Sequence, residues 1–190
     1  MSRRASRCLL GIDNGLTVTK AVVFDANGSV LSVAHRRLPQ MMPAPRFVER
    51  DMAGLWVATA EAVAQALAMS GRPDAIAAVA ETAHGDGLYL LDGDLEPLGS
   101  GILSLKSRAG AVLDGWQADG TASRTLAVTA QMPHVSAPAT LLAWMRELQP
   151  ERFARIARVL DYKDWLRFGL IGTIGTRSGR VRLRCAILPR

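Results

Sequence analysis

An apolar run ends in a carboxylate, then a glycine-containing turn leads to two hydroxyls and a lysine in the stretch Gly11-Ile12-Asp13-Asn14-Gly15-Leu16-Thr17-Val18-Thr19-Lys20. This set of residues suits an anionic ligand. Gly15 lets backbone N–H groups approach a phosphate closely. The hydroxyls of Thr17 and Thr19 are donors to phosphate oxygens, and Lys20 adds a point charge. Asp13 can hold Mg²⁺, directly or through water, because that ion takes a carboxylate together with substrate phosphates. The same residues also make an ordinary Asn-Gly hairpin in which Lys20 simply alternates outward. Spacing alone leaves both readings open.

A second candidate is the turn His84-Gly85-Asp86-Gly87. A carboxylate accepts two hydrogen bonds, so Asp86 suits a ligand with adjacent hydroxyls; it is equally a residue that turns favour. His84 and His134 have no partner at ligand spacing and read as structural or surface residues. Cys8 and Cys185 stand near opposite ends of the chain without metal-ligand spacing. A disulfide framework and a zinc site are therefore not expected, and a reducing cytoplasm is the expected compartment.

The elements that must position these groups follow from periodicity. Leu9–Asp13, Thr19–Asp25 and Val30–Leu38 read as three antiparallel strands, the last two joined at Asn27-Gly28. Pro39–Arg50 carries three prolines and reads as loop. Asp51 offers an N-cap for a helix to about Met69, with Leu55, Ala58, Ala62, Val63, Ala66 and Leu67 at helical spacing. Ala75–Ala80 reads as a buried strand, and Gly87–Leu91 as another. Helical spacing recurs near 108–118, 121–131, 137–148 and 150–158. Val159-Leu160 reads as a short strand, and Asp161–Ile171 as a final amphipathic helix. The layout is mixed α/β.

The chain has 190 residues, 49% of them hydrophobic, which is enough for a core and excludes wholesale disorder. No apolar run approaches the ~20 residues of a transmembrane helix, and Gly11-Ile12-Asp13 cuts off any signal-peptide core. The net charge of +6 belongs to the ends: residues 9–176 sum to −2, whereas three arginines lie in 1–8 and five in 177–190. Solvated basic ends explain this better than a nucleic-acid stripe on the folded body. Neither a nucleic-acid nor a membrane partner is expected.

Four stretches in order resemble the FGGY family of carbohydrate kinases. Gly11–Lys20 resembles its first phosphate motif. Phe47-Val48-Glu49-Arg50-Asp51, with Trp56 beyond, resembles its loop and first helix. Ala83–Asp92 resembles the strand-turn-strand that carries sugar contacts. Lys163-Asp164-Trp165-Leu166-Arg167-Phe168, then Gly172–Thr176, resembles a further helix and turn. The resemblance implies a ribonuclease H-like (actin-like ATPase) α/β domain, with a mixed sheet, an antiparallel three-strand start and flanking helices. It implies transfer of the γ-phosphoryl of ATP to a hydroxyl of a sugar or polyol, between two such domains. Asp13, Gly15, Thr17, Thr19 and Lys20 would then bind ATP phosphates, Asp13 would hold Mg²⁺, and Gly85 and Asp86 would bind the sugar. The general base and the adenosine-binding domain are expected beyond the end of this chain. A separately encoded second half is a candidate partner.

The chain departs from the family at Leu16, where threonine is frequent, and at Lys106, where the position is usually acidic. The Gly85-Asp86 turn points toward the erythritol-like or L-xylulose-like branches. Residues 1–8 are expected to be a basic extension, 9–176 the kinase N-terminal domain, and 177–190 an aberrant arginine-rich tail. The chain holds 20 arginines against 3 lysines, and together with the abrupt loss of pattern after Thr176 this points to a frameshifted or truncated product, inactive alone. A non-catalytic binding module on the same fold is the alternative. A ribonuclease H-type nuclease with Asp13 as first metal carboxylate is weaker, because it needs several converging acids.

Overall fold

The computed structural model describes residues 7–105 and 108–174. Lys106, Gly175, Thr176 and the tail 177–190 lie outside these. The chain divides into two compact units. The first is built from residues up to Gln40 and from Met52–His84, and the second from Met41–Asp51 and from Gly85 onward.

In the first unit, β1 (Cys8–Asn14), β2 (Val18–Asp25) and β3 (Val30–Arg37) form the expected antiparallel meander. Their β-branched and apolar residues suit a pleated, half-buried surface. The β2–β3 turn is fixed by chemistry the sequence advertises. The Asp25 carboxylate accepts the N–H groups of Asn27 (2.8 Å) and Ser29 (2.9 Å), and Gly28 takes a φ of 85°. Helix α1 (Met52–Ser70) begins one residue after Asp51 and buries Met52, Leu55, Thr59, Ala62 and Ala66. It packs on β2 and β3, where the Ser32 hydroxyl donates to the Ala66 carbonyl at 2.6 Å. By length and composition α1 is apolar enough to cross a membrane. Its contacts with the sheet account for one apolar face.

The chain returns through a 3₁₀ turn (Pro73–Ala75) to β6 (Ile76–Ala83), which runs parallel to β1 and gives the sheet order β3-β2-β1-β6. The expected strand is present but not buried: Val79 is 51% exposed and Ala77, Ala78 and Ala80 are exposed as well. Apolar composition predicted burial, but β6 is outermost in the sheet, and position outweighs composition.

The second unit corrects one reading outright. Pro39–Arg50, expected as loop, contains the hairpin β4 (Met41–Ala44) and β5 (Phe47–Arg50), which turns at Arg46 with a φ of 67°. Prolines are tolerated in irregular, outer strands, and the register of this pair shifts between Met41 and Ala44. Strand β5 pairs with β8 (Gly101–Ile102), and β7 (Tyr89–Leu91) pairs with β9 (Arg158–Leu160). Helices α2 (Gly110–Ala118), α3 (Thr121–Thr129), α4 (Pro138–Leu148), α5 (Pro150–Ala154) and α6 (Tyr162–Ile171) follow close to their expected spans. The exception is α5, which stops short of 158. Asp161 caps α6 by accepting from the Asp164 N–H at 2.9 Å, and Gly172 ends it at a φ of 66°. Leu88, Leu90, Leu98, Ile102, Leu141, Trp144 and Met145 form the core of this unit.

Gly87 marks a point the core cannot relax. Its φ is 92°, and a β-carbon there would lie 2.5 Å from the Ile102 carbonyl oxygen. Gly93 has open space around it. Gly87→Ala should therefore cost about 2–4 kcal/mol in urea unfolding followed by tryptophan fluorescence. Gly93→Ala should fall within about 0.5 kcal/mol of wild type. Equal midpoints for the two variants would show that the backbone at Gly87 yields.

Candidate functional site

Strand alternation sorts the residues of the first candidate. Asp13 on β1 is opposite Lys20 on β2 in the antiparallel register, and Thr82 on β6 is opposite Asp13 in the parallel one. All three are exposed, so they share the face of the sheet away from α1. Gly15 donates its N–H to the Val18 carbonyl at 3.0 Å, which closes the hairpin and leaves Thr17 exposed at its tip. The structure thus brings Asp13, Lys20 and Thr17 to one exposed end of the sheet. It places Thr19 elsewhere. Thr19 is fully buried, on the α1 side, in register with Asn14. There the Thr59 hydroxyl on α1 donates to Asn14 Oδ1 at 3.1 Å. Leu16 follows Gly15 in the turn, and its carbonyl accepts the Gln40 side-chain amide at 3.0 Å.

The chemistry of this donor set fits a nucleotide-bound magnesium ion. Among the described residues no cluster of three or more His, Cys, Asp or Glu could hold a metal by itself. Mg²⁺ does not need one, because it binds through one or two carboxylates plus substrate phosphates. Asp13 would supply the carboxylate, and Lys20 and Thr17 the groups toward the phosphates.

The second candidate lies in the other unit. Asp86 and Gly87 both take left-handed backbone, with φ of 57° and 92°. Leu88 and Ile102 then exchange backbone hydrogen bonds of 2.9 and 2.8 Å. Asp86 is therefore mounted at the entrance to a locked two-strand bridge. His134, for which spacing offered no partner, is brought to it: its Nε2 lies 3.8 Å from Asp86 Oδ2, and its Nδ1 lies 3.2 Å from Ser136 Oγ. The loop carrying His134 is itself held, because its carbonyl accepts the Ala137 N–H at 3.0 Å and the Thr140 hydroxyl at 2.9 Å. Pro133 and Pro138 flank this loop in the sequence. His84 lies in the first unit and donates its N–H to the Asn14 carbonyl at 3.3 Å.

The second unit also holds a buried charge pair that the sequence did not single out. The Arg108 guanidinium is 4.0 Å from the centre of the Phe47 ring and 5.2 Å from that of Trp144. One of its nitrogens is 2.7 Å from a Glu49 oxygen. Arg152 donates to the carbonyls of Leu98 (2.8 Å) and Ser100 (3.2 Å); its burial pulls its pKa down, and the nearby Glu49 opposes that shift. Deeper in, Arg50 donates to the Tyr162 hydroxyl at 3.0 Å, and Tyr162 stacks on Tyr89 at 5.3 Å. Burial, with Tyr162 adding to it, raises the Tyr89 hydroxyl far above the usual phenol range, so it stays protonated.

A mixed sheet that starts as an antiparallel meander and continues through a helix to a parallel strand, with a glycine-containing hairpin after an acid-ended strand, has the actin-like ATPase fold of sugar kinases. The model of the "FGGY family of carbohydrate kinases, N-terminal domain" matches residues 8–181, and the chain belongs to that family. It is 36% identical over 162 residues to a probable L-xylulose kinase of Haemophilus influenzae, covering 85% of this chain and 33% of that protein. It is 35% identical over 173 residues to the L-xylulose/3-keto-L-gulonate kinase of Escherichia coli, covering 90% of this chain and 35% of that one. Among solved structures, a Brucella ovis enzyme described as a xyloylose kinase superposes with a TM-score of 0.78 at 28% identity, over 85% of this chain and 34% of the other. The chain thus spans about a third of the length of the curated relatives it matches.

Removing one partner of a buried ion pair leaves the other charge uncompensated, at a cost of about 3–5 kcal/mol. Arg108→Ala should therefore destabilise the second unit by about 3 kcal/mol in urea unfolding. The double variant Arg108→Met with Glu49→Gln should recover more than half of that loss. A single variant within about 0.5 kcal/mol of wild type would refute a stabilising role for the pair.

Proposed function

We propose that this chain supplies the N-terminal domain, residues 9–176, of an ATP-dependent kinase that phosphorylates a hydroxyl of a sugar or polyol. The observation that carries the reading is the family match over residues 8–181, together with the exposure of Asp13 and Lys20 on one face of the sheet and of Thr17 at the hairpin tip. Phosphoryl transfer relies on positioning and charge neutralisation more than on covalent participation by the protein. In this reading Lys20 and Thr17 bind and orient the phosphates, and Gly15 lets them approach the hairpin backbone. Asp13 holds Mg²⁺, which when bound neutralises phosphate charge. Thr19 contributes by bracing the hairpin from the α1 side rather than through its hydroxyl, which is buried there.

Gly85 and Asp86 form the acceptor side. Gly85 leaves room beside the turn, where an added β-carbon would meet nothing within 4 Å. The Asp86 carboxylate accepts from sugar hydroxyls. The relatives are kinases named for L-xylulose, a neutral ketose, and for 3-keto-L-gulonate, a sugar acid, and the acceptor of this chain belongs to that range. The general base and the adenosine-binding domain belong, on this reading, to sequence other than residues 9–176. A second kinase half is thus the partner with which the domain would work.

The test is calorimetric titration of the chain with Mg-ATP. Asp13→Ala and Lys20→Ala should each weaken binding by about tenfold, one charge-assisted contact being worth ~1.5–3 kcal/mol. Val79→Thr, an exposed control on the same sheet, should leave it unchanged. Identical titrations for wild type and Asp13→Ala would remove Asp13 from the nucleotide site.

A further inference from the structure

We propose that the outer edge of β6 is an interaction surface for a second copy of this chain. The β6 of the copy adds to it antiparallel, about a two-fold axis, and joins the two four-stranded sheets into one continuous sheet. This is independent of how the two candidate sites are read.

The two edges of the sheet are finished differently. The order β3-β2-β1-β6 puts β3 on one side and β6 on the other. Strand β3 carries His35, Arg36 and Arg37, and Arg36 reaches across to α1, donating to Glu61 at 2.9 Å and to Gln65 at 2.6 Å. Charged side chains of this kind are a usual means of keeping a further strand off an edge. Strand β6 reads Ile-Ala-Ala-Val-Ala-Glu-Thr-Ala, without lysine, arginine or proline and with Glu81 as its one charge. It runs parallel to β1, in regular register from Ala78 to Ala83, and among the described residues no strand lies on its other side. Neighbours in a strand point to opposite faces, yet Ala77, Ala78, Val79 and Ala80 are all exposed, so the edge is open from both faces. A long apolar edge without protecting charge is a template for pairing.

The second copy is the occupant because β6 is complementary to itself. Outward-pointing backbone groups alternate along a strand, so pairing about a two-fold sets residues of the same parity opposite each other. A two-fold at Val79 puts Ala78 against Ala80 and Glu81 against Ala77. A two-fold at Ala80 puts Ala80 against itself, Ala78 against Thr82 and Glu81 against Val79. In both registers small side chains meet and the two glutamates stay apart, so no like charges are opposed. Leu9, 47% exposed and in register with Ala78, widens the apolar surface beside the seam. Pairing β6 with β3 of the copy would instead meet the cations of β3, and that head-to-tail contact does not close. Affinity in strand addition comes from the main-chain hydrogen bonds. One added strand makes a small interface, so association is expected in the roughly micromolar range.

The experiment is sedimentation velocity of the full chain from about 1 to 200 µM, with hydrogen exchange at both ends of that range. Wild type should pass from monomer to dimer, and the amides of residues 76–83 should exchange more slowly in the concentrated sample. Ala78→Glu combined with Ala80→Glu opposes like charges in either register and should raise the dissociation constant at least tenfold. Ala78→Lys combined with Ala80→Lys should do the same, and an equimolar mixture of the two double variants should recover the dimer. Val33→Glu, at an exposed position on β3, should leave the dimer unchanged. A monomer throughout would overturn the second copy as occupant and leave the edge to a strand of another chain. A dimer that survives both double variants, or one whose protected amides lie outside residues 76–83, would place the interface elsewhere and overturn the proposal. The exchange measurement uses wild type alone, so it decides the matter whether or not the variants fold.

Discussion

The second unit depends on how one guanidinium is kept out of water. Arg108 is 9% exposed, lies against the Phe47 and Trp144 rings, and meets Glu49 at 2.7 Å. A buried charge is tolerated only with a partner and good packing, so these contacts are coupled. Glu49 cannot leave without stranding Arg108. Strand β5, which carries Glu49 in register with Ile102 of β8, is thereby fixed. Ile102 in turn bridges Leu88 and blocks any side chain at Gly87. The position of Asp86 thus traces back, contact by contact, to a charge pair that itself binds nothing.

Arg152 extends the same logic. It brings a second guanidinium toward Glu49, yet its donors go chiefly to the Leu98 and Ser100 carbonyls. Those carbonyls belong to the segment between β7 and β8, so Arg152 fastens that segment to α5 while Arg108 fastens β5 to α4. Polar groups here replace the ladder hydrogen bonds that two- and three-residue strands are too short to supply. The first unit is built differently. Its strands run seven or eight residues and α1 nineteen, and the ladder with one apolar helix face suffices.

This contrast explains what the sequence disclosed. In the first unit period-two alternation and the Asp25–Ser29 turn residues are local signals, so three strands and their order could be read directly. The four separated motifs disclosed the family. What escaped were non-local outcomes. The β4–β5 hairpin hides under Pro39, Pro43 and Pro45, since its partner strand β8 lies some fifty residues away and only two residues long. The exposure of β6 is decided by its place in the sheet, which composition does not encode. Burial of Thr19 was legible in principle: alternation puts it opposite to Lys20, and hydroxyl chemistry drew attention away from that parity. His134 needed the tertiary structure, because 48 residues separate it from Asp86.

The two candidate sites differ in what can vary. In the hairpin, the side on which Asp13 and Lys20 stand is set by strand parity, and shifting it by one residue would turn the buried set of β1 and β2 outward. Its chemistry is thus bound to the fold, as expected of groups that would meet the same triphosphate in any member. At the Gly85-Asp86 turn the backbone is equally constrained, by Gly87 and the Leu88–Ile102 bridge, but the side chains of Asp86 and His134 are partly exposed and belong to no core cluster. They can be exchanged without disturbing packing. A fixed backbone with free side chains is the arrangement in which charge at one or two positions selects among ligands of similar shape, because the turn cannot retreat to relieve a repulsion.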